Sequence, residues 1–172
     1  MNESLKQKVE RAVGDEFVEW LNRTTGSEFQ FERTGANPPD LVYRDGNKTL
    51  PVEVATSYYN ENDAIMRWKF ARKDPTAPTK WESPLTNPDQ ALIADINKRI
   101  AKKCLGKHDL ETVLVVEIYP AITTKAEFEE LKNGIAIPSS IPFAAIYVAG
   151  TFPHGSDSPG GYFCWKVASG EA

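Results

Sequence analysis

The sequence predicts a single α/β domain, and three observations carry that expectation. A helix-period apolar stripe opens the chain, with Leu5, Val9, Val13, Phe17, Trp20 and Leu21 falling at three- and four-residue spacing over residues 4–22. The run TVLVVEIY at 112–119 is apolar throughout and of strand length, which suits a central strand buried on both faces. Between them, short strand-like segments are punctuated by Asn37-Pro38-Pro39 and Asp45-Gly46, signals of an extended turn and a two-residue hairpin.

The elements follow in order. After the first helix, Gly26 supplies a stop, and Phe29 and Phe31 alternate with polar residues as a strand. Asp40 to Tyr43 is a second strand, and Leu50 to Thr56 returns beside it after the Asp45-Gly46 turn. Pro51 lacks an N–H, so the returning strand begins there or lies at an edge at that point. Residues 60–88 form a basic, aromatic insertion, expected as a short helix followed by an irregular loop. Asn87-Pro88 marks a boundary, and Asp89 is placed to cap a helix running to about Cys104 with Leu92, Ile96 and Ile100 on one face. The strand at 112–119 comes next, then a short helix at 126–131 and two closing strands at 144–149 and 162–167. The expected order is α-β-β-β-α-β-(α)-β-β within one domain spanning residues 1–172.

Composition narrows the function classes. The chain has 172 residues, 41% hydrophobic and 26% charged, enough for one core and unlike a disordered or fibrous sequence. No apolar run approaches the roughly 20 residues of a membrane helix. The N-terminal MNESLKQKVERAV lacks the apolar stretch of a signal peptide, so a cytoplasmic location is expected. Cys104 and Cys164 read as reduced thiols, and with only His108 and His154 beside them they give no zinc-type spacing. A net charge of −4 argues against a general polyanion binder while leaving room for a local basic patch.

Three carboxylates are candidates for chemistry. Strand alternation puts Glu53 and Ala55 on one face and Leu50, Val52 and Val54 on the other. Asp40, leaving the Pro-Pro turn, starts the partner strand, so the hairpin can bring Asp40 and Glu53 within reach of one cation. Two adjacent carboxylates repel unless a cation bridges them or one takes a proton, and Mg²⁺ suits such a pair. Glu16 falls among the apolar positions of the first helix. The bland alternatives are a turn residue at Asp40, an edge-strand residue at Glu53 and a helix-margin acid at Glu16. Among residues 67–81, Arg67, Lys69, Arg72 and Lys73 are interleaved with Trp68, Phe70 and Trp81. That pattern suits either a nucleic-acid clamp or an insertion anchored on the core by its tryptophans.

A helix with a glutamate, then Pro38-Pro39-Asp40, a hairpin, and Pro51-Val52-Glu53-Val54-Ala55 resembles the PD-(D/E)XK phosphodiesterase superfamily. The basic helix INKRIAKK at 96–103 leading into TVLVVEI is similar too, and the likeness covers roughly the first 120 residues. The resemblance implies a restriction-endonuclease-like αβββαβ core, a mixed central sheet flanked by helices, here with two extra C-terminal strands. It implies that Asp40 and Glu53 bind Mg²⁺ or Mn²⁺, that Glu16 assists, and that the substrate is nucleic acid, with DNA the expected kind. The family's lysine belongs at Ala55, however. Lys103, three residues beyond Ile100 near the apolar face of its helix, is the candidate replacement, whereas Lys98 and Lys102 are expected to project away. The competing expectation is a catalytically inactive module of the same fold that binds nucleic acid or protein, as a homodimer or with a partner subunit.

Overall fold

The structure is a computed structural model that describes residues 4–36, 38–59, 61–77, 87–120, 123–152 and 161–170. In chain order the elements are α1 (Leu5–Thr25), β1 (Gln30–Thr34), β2 (Leu41–Asp45), β3 (Lys48–Ser57), α2 (Glu61–Ala71), α3 (Pro88–Cys104), β4 (Val113–Ile118), α4 (Lys125–Leu131), β5 (Ala145–Phe152) and β6 (Gly161–Ser169). The strands form one open, mixed sheet in the order β1-β2-β3-β4-β5-β6. β3, β4 and β5 are parallel, and the outer pairings are antiparallel. The protein is therefore an α/β chain with helices on both faces of a six-stranded sheet.

Each face has its own core. α1 packs Val13, Phe17 and Val18 against Leu41, Tyr43, Val52, Val54 and Val115. α3 and α4 cover the other face with Leu92, Ile96, Ile100 and Phe128 against Ala55, Leu114, Val116 and Ile118. β4 is buried at every position, as its continuous apolar sequence requires. α1 starts with a capping box between Ser4 and Gln7 and ends at Gly26, whose φ of 72° is open to glycine at little cost. Gly14 lets that helix approach β2, since a side chain there would run into Leu41 and the Tyr43 hydroxyl.

Two local expectations need correcting. The hairpin turns at Gly46-Asn47, not Asp45-Gly46, because Asp45 pairs with Lys48 and Gly46 takes the positive φ of 55°. The shift matters for the site. The observed register sets Leu41 against Val52 and so brings Asp40 opposite Glu53. A turn one residue earlier would set Asp40 against Pro51. Asp89 also does not cap α3: Asn87 holds the N-cap position without a side-chain bond, and Asp89 accepts a hydrogen bond from Thr123 Oγ1 at 2.7 Å. Pro51 is accommodated at an edge point, because pairing of β3 with β4 begins only at Val52. The loop half of the 60–88 insertion, with Lys80 and Trp81, lies outside the described residues.

Candidate active site

The site is built where two helices converge on β3. The first turns of α1 and the last turns of α3 meet over residues 54–56 and enclose a cleft of about 450 Å³. Its walls include Lys6 and Glu10 from α1, Ala55 and Thr56 from β3, Tyr58 and Trp68 beyond it, and Arg99, Lys102 and Lys103 from α3.

Asp40 stands one residue before β2, and Gly35 N–H donates to its carbonyl at 2.8 Å, closing the Pro-Pro turn. Gly35 has no Cβ to collide with the Pro39 backbone, so the turn can close this tightly. Asp40 is 7% exposed, and its Oδ2 accepts the Val54 N–H at 2.9 Å. Glu53 lies beside it, 3% exposed, on the sheet face that Ala55 and α3 share. Its Oε2 is buried and has no hydrogen-bond partner among the described residues. A buried carboxylate oxygen without a donor is costly, so Glu53 depends on the cation it does meet.

That cation is Lys103, whose ammonium forms an ion pair with Glu53 Oε1. The register that delivers it can be followed. Asp95 on α3 accepts from Ser57 Oγ at 2.9 Å and from Tyr58 N–H at 3.0 Å, pinning the helix to the end of β3. From Asp95 to Lys103 is about 12 Å of helix at 1.5 Å per residue. From Ser57 back to Glu53 is about 13 Å of strand at 3.3 Å per residue. The two run in opposite senses, so the lysine arrives at the glutamate. His108 Nε2 lies 2.9 Å from the Lys103 carbonyl and its ring packs on Phe143 with centroids 4.4 Å apart, which fixes the helix end.

The helical acid at the cleft is Glu10, which is not among the carboxylates expected from the sequence. Glu10 precedes Val13 and Gly14 by three and four residues and so shares their stripe, and that spacing was the available signal. Lys6 binds it at 2.8 Å. Burial pushes the Glu10 carboxyl above the usual range, opposed by its bond to Lys6, and the Asp40 charge adds to the rise.

Glu16 does not line this cleft. It is exposed on α1 and accepts a bond from Thr151 Oγ1 at 3.4 Å. Its neighbour there is Glu117 on β4, on the α1 face of the sheet, where burial and then the Glu16 charge raise the Glu117 carboxyl to about 9. Glu16 lies off the buried stripe of Val13, Gly14, Phe17 and Val18, which explains why it misses the position expected of it.

The expected nucleic-acid contacts divide. Arg67 is committed within the fold: it binds the buried Asp63 at 2.9 Å and stands 4.7 Å over the Tyr119 ring. Arg72 and Lys73 are exposed, and Lys69 is half-buried, but none of the three lines the cleft. Its basic wall comes instead from α3 and Lys6, and Lys102, expected to project away, is part of it. Among the described residues, no group of three or more His, Cys, Asp and Glu side chains is arranged to hold a metal. Nor is any helix long and apolar enough to cross a membrane, and both described cysteines are free thiols.

No family model, curated protein or solved structure matches this chain.

Proposed function

We propose that this chain is a metal-dependent phosphodiesterase of the PD-(D/E)XK kind acting on nucleic acid. The observation that carries the reading is the ammonium of Lys103 at Glu53, on the wall that Ala55 leaves open. The strand lysine of the family pattern is missing, and a lysine from a different element supplies its charge beside the acidic pair. The Asp40–Glu53 register and a sheet with β4 parallel to β3 support the same assignment.

The donor set fits a divalent cation. Asp40 spends one oxygen on Val54 N–H, and Glu53 Oε2 is buried without a partner, so a hard cation would satisfy charge that the fold leaves over. Asp40 and Glu53 would hold it, with Glu10 at the margin. A cation bound there would supply charge stabilisation to a phosphoryl oxygen and would acidify a water. The chain's own residues do the rest. Lys103 holds the attacking water or takes up developing negative charge, and Lys6, Arg99 and Lys102 hold phosphates. Glu10, its proton held more tightly than usual, can carry a proton at the cleft mouth.

A second reading rests on the same ion pair. Lys103 already neutralises Glu53, and a fold that needs no cation there would serve as a catalytically inactive binding module. The test is incubation of end-labelled single- and double-stranded DNA and RNA with Mg²⁺ or Mn²⁺. Cleavage by the wild type that disappears in Glu53→Gln is the expected result. Intact substrates in every combination would leave only the binding module.

A further inference from the structure

We infer that the cleft takes an unpaired nucleotide, so that single-stranded nucleic acid, not an intact duplex, is the substrate class; this rests on the phosphodiesterase reading above. The cleft has two chemically different ends. At one stand Glu10 and Lys103, and Lys103 reaches past the lining to the buried Glu53. At the other stand the aromatic residues Tyr58 and Trp68, with Arg99 on the helix beside them. Tyr58, Trp68 and Thr56 of β3 line the same cleft, and the Arg72 guanidinium stands 5.9 Å over the Trp68 ring. Tyr58 in turn stacks on Tyr119 with centroids 6.1 Å apart, so the aromatic end is backed by packed side chains.

The spacing suits a strand laid along the cleft. Glu53 and Tyr58 are five residues apart, about 16 Å of extended chain. Arg99 and Lys103 are one helical turn apart, about 6 Å, so cations recur along the same line. A cavity of about 450 Å³ is of small-ligand size. A paired base would have to leave its stack before it could reach an indole there. Stacking on Trp68 with phosphates on Arg99, Lys102 and Lys103 is the mode by which proteins hold single strands without reading sequence.

The test is fluorescence anisotropy without divalent metal, so that neither cleavage nor metal binding enters. The probes are a short labelled DNA strand, its blunt duplex, and the same strand with consecutive abasic positions. The expected order is tighter binding of the single strand than of the duplex. Abasic substitution and Trp68→Ala should each weaken single-strand binding roughly 5- to 150-fold. Combined, they should cost little more than either alone, and Trp68→Phe should retain most of the affinity. Lys102→Ala should weaken all probes and lower the salt slope by about one. Equal or tighter binding of duplex, indifference to abasic positions, or no binding to any probe would overturn the inference. The abasic arm uses the unmodified protein, so a Trp68 variant that fails to fold does not rescue it. Single-strand preference without any metal-dependent cleavage would refute the phosphodiesterase reading alone, and cleavage with duplex preference would refute this inference alone.

Discussion

The ammonium of Lys103, in the last turn of α3, meets Glu53 Oε1 in the middle of β3 across 50 positions of sequence. The glutamate side chain is 4% exposed and the lysine 29%, so the pair sits at the wet edge of a dry carboxylate. Lys103→Ala would leave Glu53 charged, buried and without a donor, a cost of about 1–3 kcal/mol. Thermal unfolding should show a lower melting temperature for that variant, with Glu53→Gln in the same background recovering part of the loss. A Lys103→Ala protein as stable as the wild type would mean that solvent already screens the pair.

Metal binding should appear as stabilisation, because a ligand held only by the folded state shifts unfolding by mass action, about 2.7 kcal/mol at a hundredfold excess over Kd. Mn²⁺ should raise the melting temperature of the wild type, and Asp40→Asn or Glu53→Gln should remove the shift. An undiminished shift in both variants would place the ion elsewhere.

Glu10 and Glu16 are separated by six residues of α1 and differ in what they face. Glu10 lines the cleft and feels Asp40, while Glu16 is exposed beside Thr151 and Glu117. Glu10→Gln should lower the cleavage rate at least tenfold, and Glu16→Gln should leave it within about twofold. Rate constants under matched metal and substrate decide this, and the opposite pattern would restore Glu16 to the site.

Much of this architecture was legible in the sequence, and the parts that were not have identifiable causes. The apolar stripe of α1, the continuous run of β4 and the periodic Leu92, Ile96 and Ile100 all marked their elements, because burial dictates those patterns directly. Turn phase was harder. Asp45-Gly46 and Gly46-Asn47 are both good two-residue turns, and only pairing with β3 decides which residue takes the positive φ. The stripe of Val9, Val13, Phe17 and Trp20 takes in Glu16, but the residues actually buried are Val13, Gly14, Phe17 and Val18, a face that leaves Glu16 outside and reaches back to Glu10. Its spacing from Ile100 puts Lys103 near the right face, but its contact with Glu53 depends on Asp95 holding Ser57 and Tyr58, a long-range register that no local pattern encodes. Arg67 is a candidate nucleic-acid contact by sequence because nothing local shows that Asp63 and Tyr119 hold it.

Glu117 gives the fold a pH dependence separate from the cleft. Its carboxyl is held at about 9 in the folded state by burial first and Glu16 second, well above an unfolded value near 4.5. The folded state therefore binds the extra proton between these values. Stability from this group is complete below about pH 4.5 and falls as pH rises toward 9, at up to about 1.4 kcal/mol per pH unit. Glu117→Gln should flatten that fall, so the variant gains on the wild type at pH 8 relative to pH 5 in denaturant titrations. Parallel pH profiles would show that Glu117 ionises in the folded protein at an ordinary pH.

The most direct measurement is the single-turnover cleavage rate of a labelled DNA strand, with Mg²⁺ or Mn²⁺, by wild type, Lys103→Ala and Lys103→Ala/Ala55→Lys. Ala55 faces the same side of β3 as Glu53 and lines the cleft, so a lysine there can point to the acidic pair. If the helix lysine does the work of the missing strand lysine, Lys103→Ala should slow cleavage by about a hundred- to ten-thousand-fold. Ala55→Lys should then recover part of that rate. Equal rates for wild type and Lys103→Ala, or no metal-dependent cleavage by the wild type, would contradict the assignment.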